Sequence, residues 1–179
     1  MDKRLAGVIL FLPCIDGNWD KSQWGEWVWD AVRKHRYQQQ PATAETLRFW
    51  PLTDEDAQGK GRAVLSGRYV YEWSLEARKL AEQGGSIFNG NVTLEGFWND
   101  FHTRPMDYFD RISPVPLLWV MATQDVVCGP LQFTKGVYDK LDGPKDICIV
   151  EGEHLPAYFD PAFPKGLEAM LAFLKKYSS

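Results

Sequence analysis

Two residues near the C-terminus are of types that move protons, and each follows an apolar run. Asp125 stands three residues past "LLWVMA", and His154 follows closely on "ICIV" in "ICIVEGEH". An aspartate beside a histidine fixes the imidazole tautomer and stabilises the imidazolium, which makes the histidine a usable general base. Each has a plainer reading alone, Asp125 as the cap of a following helix and His154 as a loop residue. The pair, on the ends of what read as neighbouring strands, points to acid–base chemistry. Metal chemistry has less to stand on. The three histidines, His35, His102 and His154, are dispersed, with no HxH, HExxH or carboxylate cluster, so neither a metal nor a cofactor is expected. His35, in "VRKHRY", reads as a solvated helix residue, and His102, in "WNDFHTRP", as a pocket-lining or surface loop residue.

The elements that must position the pair are legible from hydrophobic period and turn signals. Leu5–Leu12 is a continuous apolar stretch ended by Pro13 and the Asp16-Gly17 turn, the pattern of a fully buried parallel strand. From Lys21 to Gln40 apolar residues recur at three and four, and Pro41 ends the helix. The stretch after Leu52 is polar and Gly-rich and reads as a loop. Arg62–Gln83 is a second helix closed by Gly84-Gly85, and Phe97–Phe109 is aromatic and irregular. Leu117–Ala122 and Ile147–Val150 read as strands, Leu131–Leu141 and Lys165–Tyr177 as helices. Strand–helix–strand–helix at this spacing is a βαβα unit on a parallel sheet. In such sheets the strand C-termini share one edge, so Asp125 and His154 should meet in the crevice there.

Composition sets bounds on the rest. With 45% hydrophobic and 25% charged residues, the 179-residue chain has an ordinary globular make-up and is expected to form one domain. Its 8 Trp, 7 Tyr and 10 Phe are a surplus of large aromatics, fit for a greasy interior or an aromatic-lined pocket. Trp19, Trp24, Trp27 and Trp98 are the pocket candidates, although aromatics at helical spacing more often fill a core. A net charge of −4 with no basic block argues against a nucleic-acid partner. The longest apolar run, "LAGVILFLPC", is too short to span a bilayer, and no small-x-small cleavage site follows it, so no membrane partner is expected. Cys14, Cys128 and Cys148 cannot all pair and form no CxxC, which suits a reducing, cytoplasmic setting. Cys128 reads as a small buried hydrophobe.

The segment "ISPVPLLWVMATQDVVCGPLQFTKGVYDKLDGPKDICIVEGEHLPAYF" resembles the C-terminal part of α/β hydrolases, most nearly the dienelactone-hydrolase and X-Pro-peptidase-like type, including fungal members tied to polyketide pathways. On that resemblance Asp125 maps as the triad acid and His154 as the triad base. "KRLAGVILFLPCIDG" is similar to the family's strand after the nucleophile helix. The implied fold class is α/β, a truncated hydrolase-like parallel sheet of about three strands with an inserted helical cap. Residues 1–17 and 112–179 would form the core and 18–111 the cap, with Trp19, Trp24, Trp98 and His102 lining the substrate site.

The departure from that pattern bears on mechanism. The resemblance calls for a nucleophile elbow before the strand at Leu5, and no Gly-x-Ser-x-Gly or Gly-x-Cys-x-Gly occurs in the 179 residues. Ser66 in "VLSGR" lacks the first glycine, and Cys14 lacks both. The expectation is therefore a biosynthetic, secondary-metabolism enzyme that keeps acid–base chemistry, such as isomerisation, cyclisation or lactone chemistry, on a small apolar substrate. The alternatives are a non-catalytic partner of a full-length hydrolase, or one piece of a serine hydrolase whose nucleophile lies on another chain. Met1 directly before a plausible strand favours a natural start. With one side of that strand lacking the neighbour the resemblance calls for, a homodimer, or a heterodimer with a hydrolase-like chain, is expected.

Overall fold

A computed structural model describes residues 4–38, 45–159 and 161–177. In chain order the elements are β1 (Val8–Phe11), α1 (Gly17–Gln23), α2 (Glu26–Arg36), β2 (Thr46–Arg48), α3 (Asp54–Ala57), α4 (Arg68–Gln83), β3 (Asn91–Thr93), α5 (Leu94–His102), β4 (Leu117–Ala122), α6 (Leu131–Asp139), β5 (Lys145–Val150) and α7 (Phe163–Tyr177). Short 3₁₀ helices occupy Pro105–Arg111 and Pro156–Tyr158. The chain divides into two compact units, residues 1–20 with 103–179, and residues 21–102.

The first unit is built on a parallel sheet in the order β1-β4-β5. Val8 pairs with Leu117 and Leu117 with Lys145, so the three strands run in register and end on a common edge. All six residues of β4 are buried, which is why the strand shows no polar alternation: both faces are covered. Leu118, Val120 and Ala122 pack towards α7 with Phe173 and Ala157, while Leu117, Trp119 and Met121 pack towards Ile15, Phe109, Ile112 and Tyr138. Strand period two thus feeds two separate core layers. Gly166 of α7 gives the close approach: a Cβ there would lie 3.0 Å from the Phe11 ring.

The stretch 103–111 belongs with this sheet, although the sequence suggested a core boundary at 112. Met106 N–H donates to Ile15 O at 3.1 Å, and Phe109 packs edge-on against Trp119 with ring centroids 5.4 Å apart.

The second unit is helical around a two-stranded antiparallel ribbon, β2-β3. Its core holds Val28, Val32, Leu94, Phe97 and Phe101. The helix expected over 21–40 is two helices broken at Trp24-Gly25, and Pro41 lies outside the described residues. The stretch after Leu52 was expected as loop but carries α3, capped by Thr53 Oγ1, which accepts the Asp56 N–H at 3.1 Å. Residues 94–102, expected in part to be irregular, form α5. His35 is buried, not solvated, because it shares the α2 face of Val28 and Val32; its Nδ1 lies 3.4 Å from a Glu45 carboxylate oxygen without a hydrogen bond.

Candidate active site

The exits of β4 and β5 are stitched together before either functional side chain appears. Thr123 N–H donates to Val150 O at 3.0 Å, Gln124 N–H to Gly152 O at 2.9 Å, and Gly152 N–H to Thr123 Oγ1 at 3.0 Å. Gly152 sits at φ 108°, a conformation that a residue with a Cβ adopts only with strain. This turn delivers His154 to the start of the Pro156–Tyr158 3₁₀ helix.

Asp125 and His154 meet at the sheet's C-terminal edge. Asp125 Oδ2 lies 2.9 Å from His154 Nδ1, and both residues are buried, at 5% and 9% exposure. The Nδ1–H donates to the carboxylate, which leaves Nε2 as the free ring position. The other carboxylate oxygen is used locally: Asp125 Oδ1 accepts from Val127 N–H and Cys128 N–H, each at 2.9 Å. Asp125 therefore closes its own turn and partners His154; it does not cap the following helix, α6, whose N-cap is Pro130. Three N–H donors offset the cost of burying this carboxyl group.

The neighbours of the pair include groups that sequence reasoning missed. Tyr158 meets the His154 ring edge-on, with centroids 5.7 Å apart, and its hydroxyl pKa is raised by burial and further by the Asp125 charge. Tyr158 sits four residues beyond His154 in the quoted segment, and no spacing rule singles it out. Trp19 Nε1–H donates to Val127 O at 3.1 Å, and its ring stacks on Phe133. Trp19 thus braces the turn that carries Asp125.

Cys14 and Cys128 are disulfide-bonded, their Cα atoms 4.6 Å apart. This corrects the expectation of reduced cysteines and the reading of Cys128 as a simple buried hydrophobe. The physical reason is topological: β1 and β4 are adjacent and parallel, so the turns after them converge. Leu12, at φ 45°, makes the sharp exit from β1 that precedes Cys14.

Asp125, Cys128 and His154 bring one potential ligand atom each to within 4.8 Å of one another, a cluster the sequence reading did not foresee. The Cys128 sulfur is held by Cys14 and the Asp125 oxygens by three N–H donors, so the cluster offers a cation no vacant set of donors. A cavity of about 10 Å³ is bordered by Leu12, Trp119, Asp125 and Thr134, far below the size of a substrate pocket.

The remaining predicted site residues sit in the second unit. Trp24 packs against Phe49, Phe97 and Phe101. Trp98 stacks on Trp29 and receives the Arg36 guanidinium at 5.2 Å. His102 is exposed, its Nδ1–H donating to Trp98 O at 2.7 Å. Trp27 is 46% exposed on α2.

A parallel sheet with an acid after one strand, a histidine after the next and helices on both faces is the α/β-hydrolase fold, and solved structures agree. The chain is similar to the alpha/beta hydrolase GrgF from Penicillium sp. sh18 (TM-score 0.67, 19% identity), covering 99% of this chain and 57% of that one. It is similar to DcsB, solved in complex with its substrate analogue (TM-score 0.69, 15% identity), covering 99% and 58% respectively. A third likeness is to the monoacylglycerol lipase of Paleococcus ferrophilus (TM-score 0.62, 13% identity), covering 98% and 60%. The chain therefore spans somewhat more than half the length of these structures. No protein-family model matches the sequence, and no curated protein does. Among the described residues, no helix is long and apolar enough to cross a membrane.

Proposed function

We propose that this chain carries the acid–base part of an α/β-hydrolase-type site, with His154 as the base and Asp125 as the group that orients it. The observation that carries the reading is the 2.9 Å contact between Asp125 Oδ2 and His154 Nδ1 at the strand-end edge, with Nε2 left for a substrate. His154 would take a proton from a hydroxyl or an activated carbon, and return it to the leaving or closing oxygen. The Asp125 carboxylate stabilises the imidazolium formed between those steps. Isomerisation, cyclisation or lactone chemistry needs this proton transfer and no covalent intermediate. The fold neighbours include a lipase and a protein solved with a substrate analogue, which favours a small organic substrate, here proposed to be apolar and of polyketide type. Trp19, which belongs to the same unit as the pair and braces the Asp125 turn, is proposed to contact it. The test is turnover of a panel of hydroxy-acid lactones by the native chain and by His154→Gln. Loss of turnover in the variant supports the assignment, and equal turnover removes it.

A second reading rests on a different observation. Among the described residues β1 is paired on one side alone, and an apolar strand with an open edge is a template for another strand. A hydrolase-like segment bearing a nucleophile, in a longer polypeptide or a separate chain, would add to β1 and complete a triad with His154 and Asp125. Co-purification from the source of a polypeptide carrying an elbow serine or cysteine would favour this reading. A fluorophosphonate probe should leave the chain alone unlabelled, because no Gly-x-Ser-x-Gly is present in it.

A further inference from the structure

We propose that the Cys14–Cys128 bond is a thiol–disulfide exchange site, opened by a low-molecular-weight thiol at Cys14, with His154 receiving the charge that leaves on Cys128. Three observations carry this. The two cysteines differ in exposure, since Cys14 lies exposed on the turn after β1 and Cys128 is 2% exposed. An incoming thiolate therefore meets Cys14, and Cys128 is the leaving group. A thiolate released in a buried site is costly unless a cation stands beside it. A His154 ring nitrogen and the Cys128 sulfur belong to one cluster whose atoms lie within 4.8 Å of one another. The opposing charge in the cluster, Asp125, is taken up by the Val127 and Cys128 N–H groups and the His154 ring.

A thiolate attacks Cys14 Sγ and forms a mixed disulfide there, while the bond to Cys128 breaks and its electron pair goes to Cys128 Sγ. His154 takes a proton from solvent, pairs as the imidazolium with that sulfur and gives the proton to it. A second thiolate attacks the outer sulfur of the mixed disulfide and frees Cys14 as a thiolate, which is protonated by solvent. The protein gains two electrons, and two thiols become one small-molecule disulfide. Exchange is faster when the leaving thiolate is stabilised, which is the part His154 plays. Because Cys128 N–H also holds Asp125, the exchange takes place within the turn that carries the acid. The proposal stands whether or not the dyad turns over a carbon substrate.

The test uses reduced and oxidised glutathione with the full chain, acid quenching and mass spectrometry. Reduced glutathione should open the bond in the native protein, on the order of tenfold faster than in His154→Gln. With oxidised glutathione, Cys128→Ser should be modified at Cys14 much faster than Cys14→Ser is modified at Cys128. Equal opening rates in native protein and His154→Gln would overturn the role given to His154. Equal modification of the two serine variants, or glutathione found first on Cys128, would overturn the site itself. The serine pair decides the direction of attack even if His154→Gln does not fold.

Discussion

Replacing Asp125 by alanine and by asparagine separates the work of its two oxygens. In Asp125→Ala, the N–H groups of Val127 and Cys128 lose their acceptor, and the His154 Nδ1–H loses its own. A buried donor left unpaired costs roughly 1–3 kcal/mol. Cys128 is buried and takes the full cost, whereas Val127 is half-buried and can be partly rescued by water. The alanine variant should therefore lose about 2–4 kcal/mol of stability. Asparagine keeps an oxygen where Oδ1 stands, so both backbone bonds survive, and the loss should be about 1 kcal/mol. Both variants lose the charge that orients and stabilises the imidazolium, so each should lose turnover by on the order of 10³-fold or more. Urea titration followed by circular dichroism reads the first quantity, and turnover on an accepted lactone reads the second. An asparagine variant as unstable as the alanine one, or native turnover in Asp125→Asn, would refute these two roles.

Further outcomes are expected elsewhere in the chain. Trp119 is wholly buried, and Trp119→Ala should cost about 3–5 kcal/mol in the same titration. Burial would raise the Asp56 carboxyl pKa, but hydrogen bonds with Leu52 N–H, Thr53 and the Arg48 guanidinium outweigh it and hold the pKa below the ordinary carboxylate range. A depressed folded-state pKa contributes stability that is present above the unfolded value and lost as pH falls through the folded one. An acid titration of stability should therefore be flatter in Asp56→Asn than in the native chain. A Cβ at Gly61 would lie 2.0 Å from Asp56 Oδ1 and 2.8 Å from Asp56 N, so Gly61→Ala should lower the thermal midpoint clearly, and an unchanged midpoint would contradict that packing. Burial raises the Cys148 thiol pKa, with Lys165 opposing, so iodoacetamide at mildly alkaline pH should label Cys148 only after unfolding.

The parts of the fold that were legible are those where one physical signal dominates. "LLWVMA" is apolar without alternation because β4 is covered on both faces, and the Gly84-Gly85 pair ends α4 where the helical pattern stops. Asp125 and His154 could be brought together from order alone, since parallel strands in one sheet end on one edge. What the sequence hid depends on spatial neighbours. The Cys14–Cys128 pairing follows from β1 lying beside β4, a fact no local pattern encodes. The β2-β3 ribbon has three residues per strand, too few for a period to register. The α3 helix hid behind polar residues because a single capping threonine, not an apolar stripe, starts it. His35 looked solvated among "RKHR", yet its face of α2 was set by Val32 and Val28, one and two turns before it.

The most direct test of the central claim is a crystal structure of this chain with a bound lactone or hydroxy-acid product. A ligand oxygen is expected within hydrogen-bond reach of His154 Nε2, with the Asp125 Oδ2 to Nδ1 contact intact on the far side of the ring. A ligand seated elsewhere, with Nε2 bonded to a protein group instead, would contradict it.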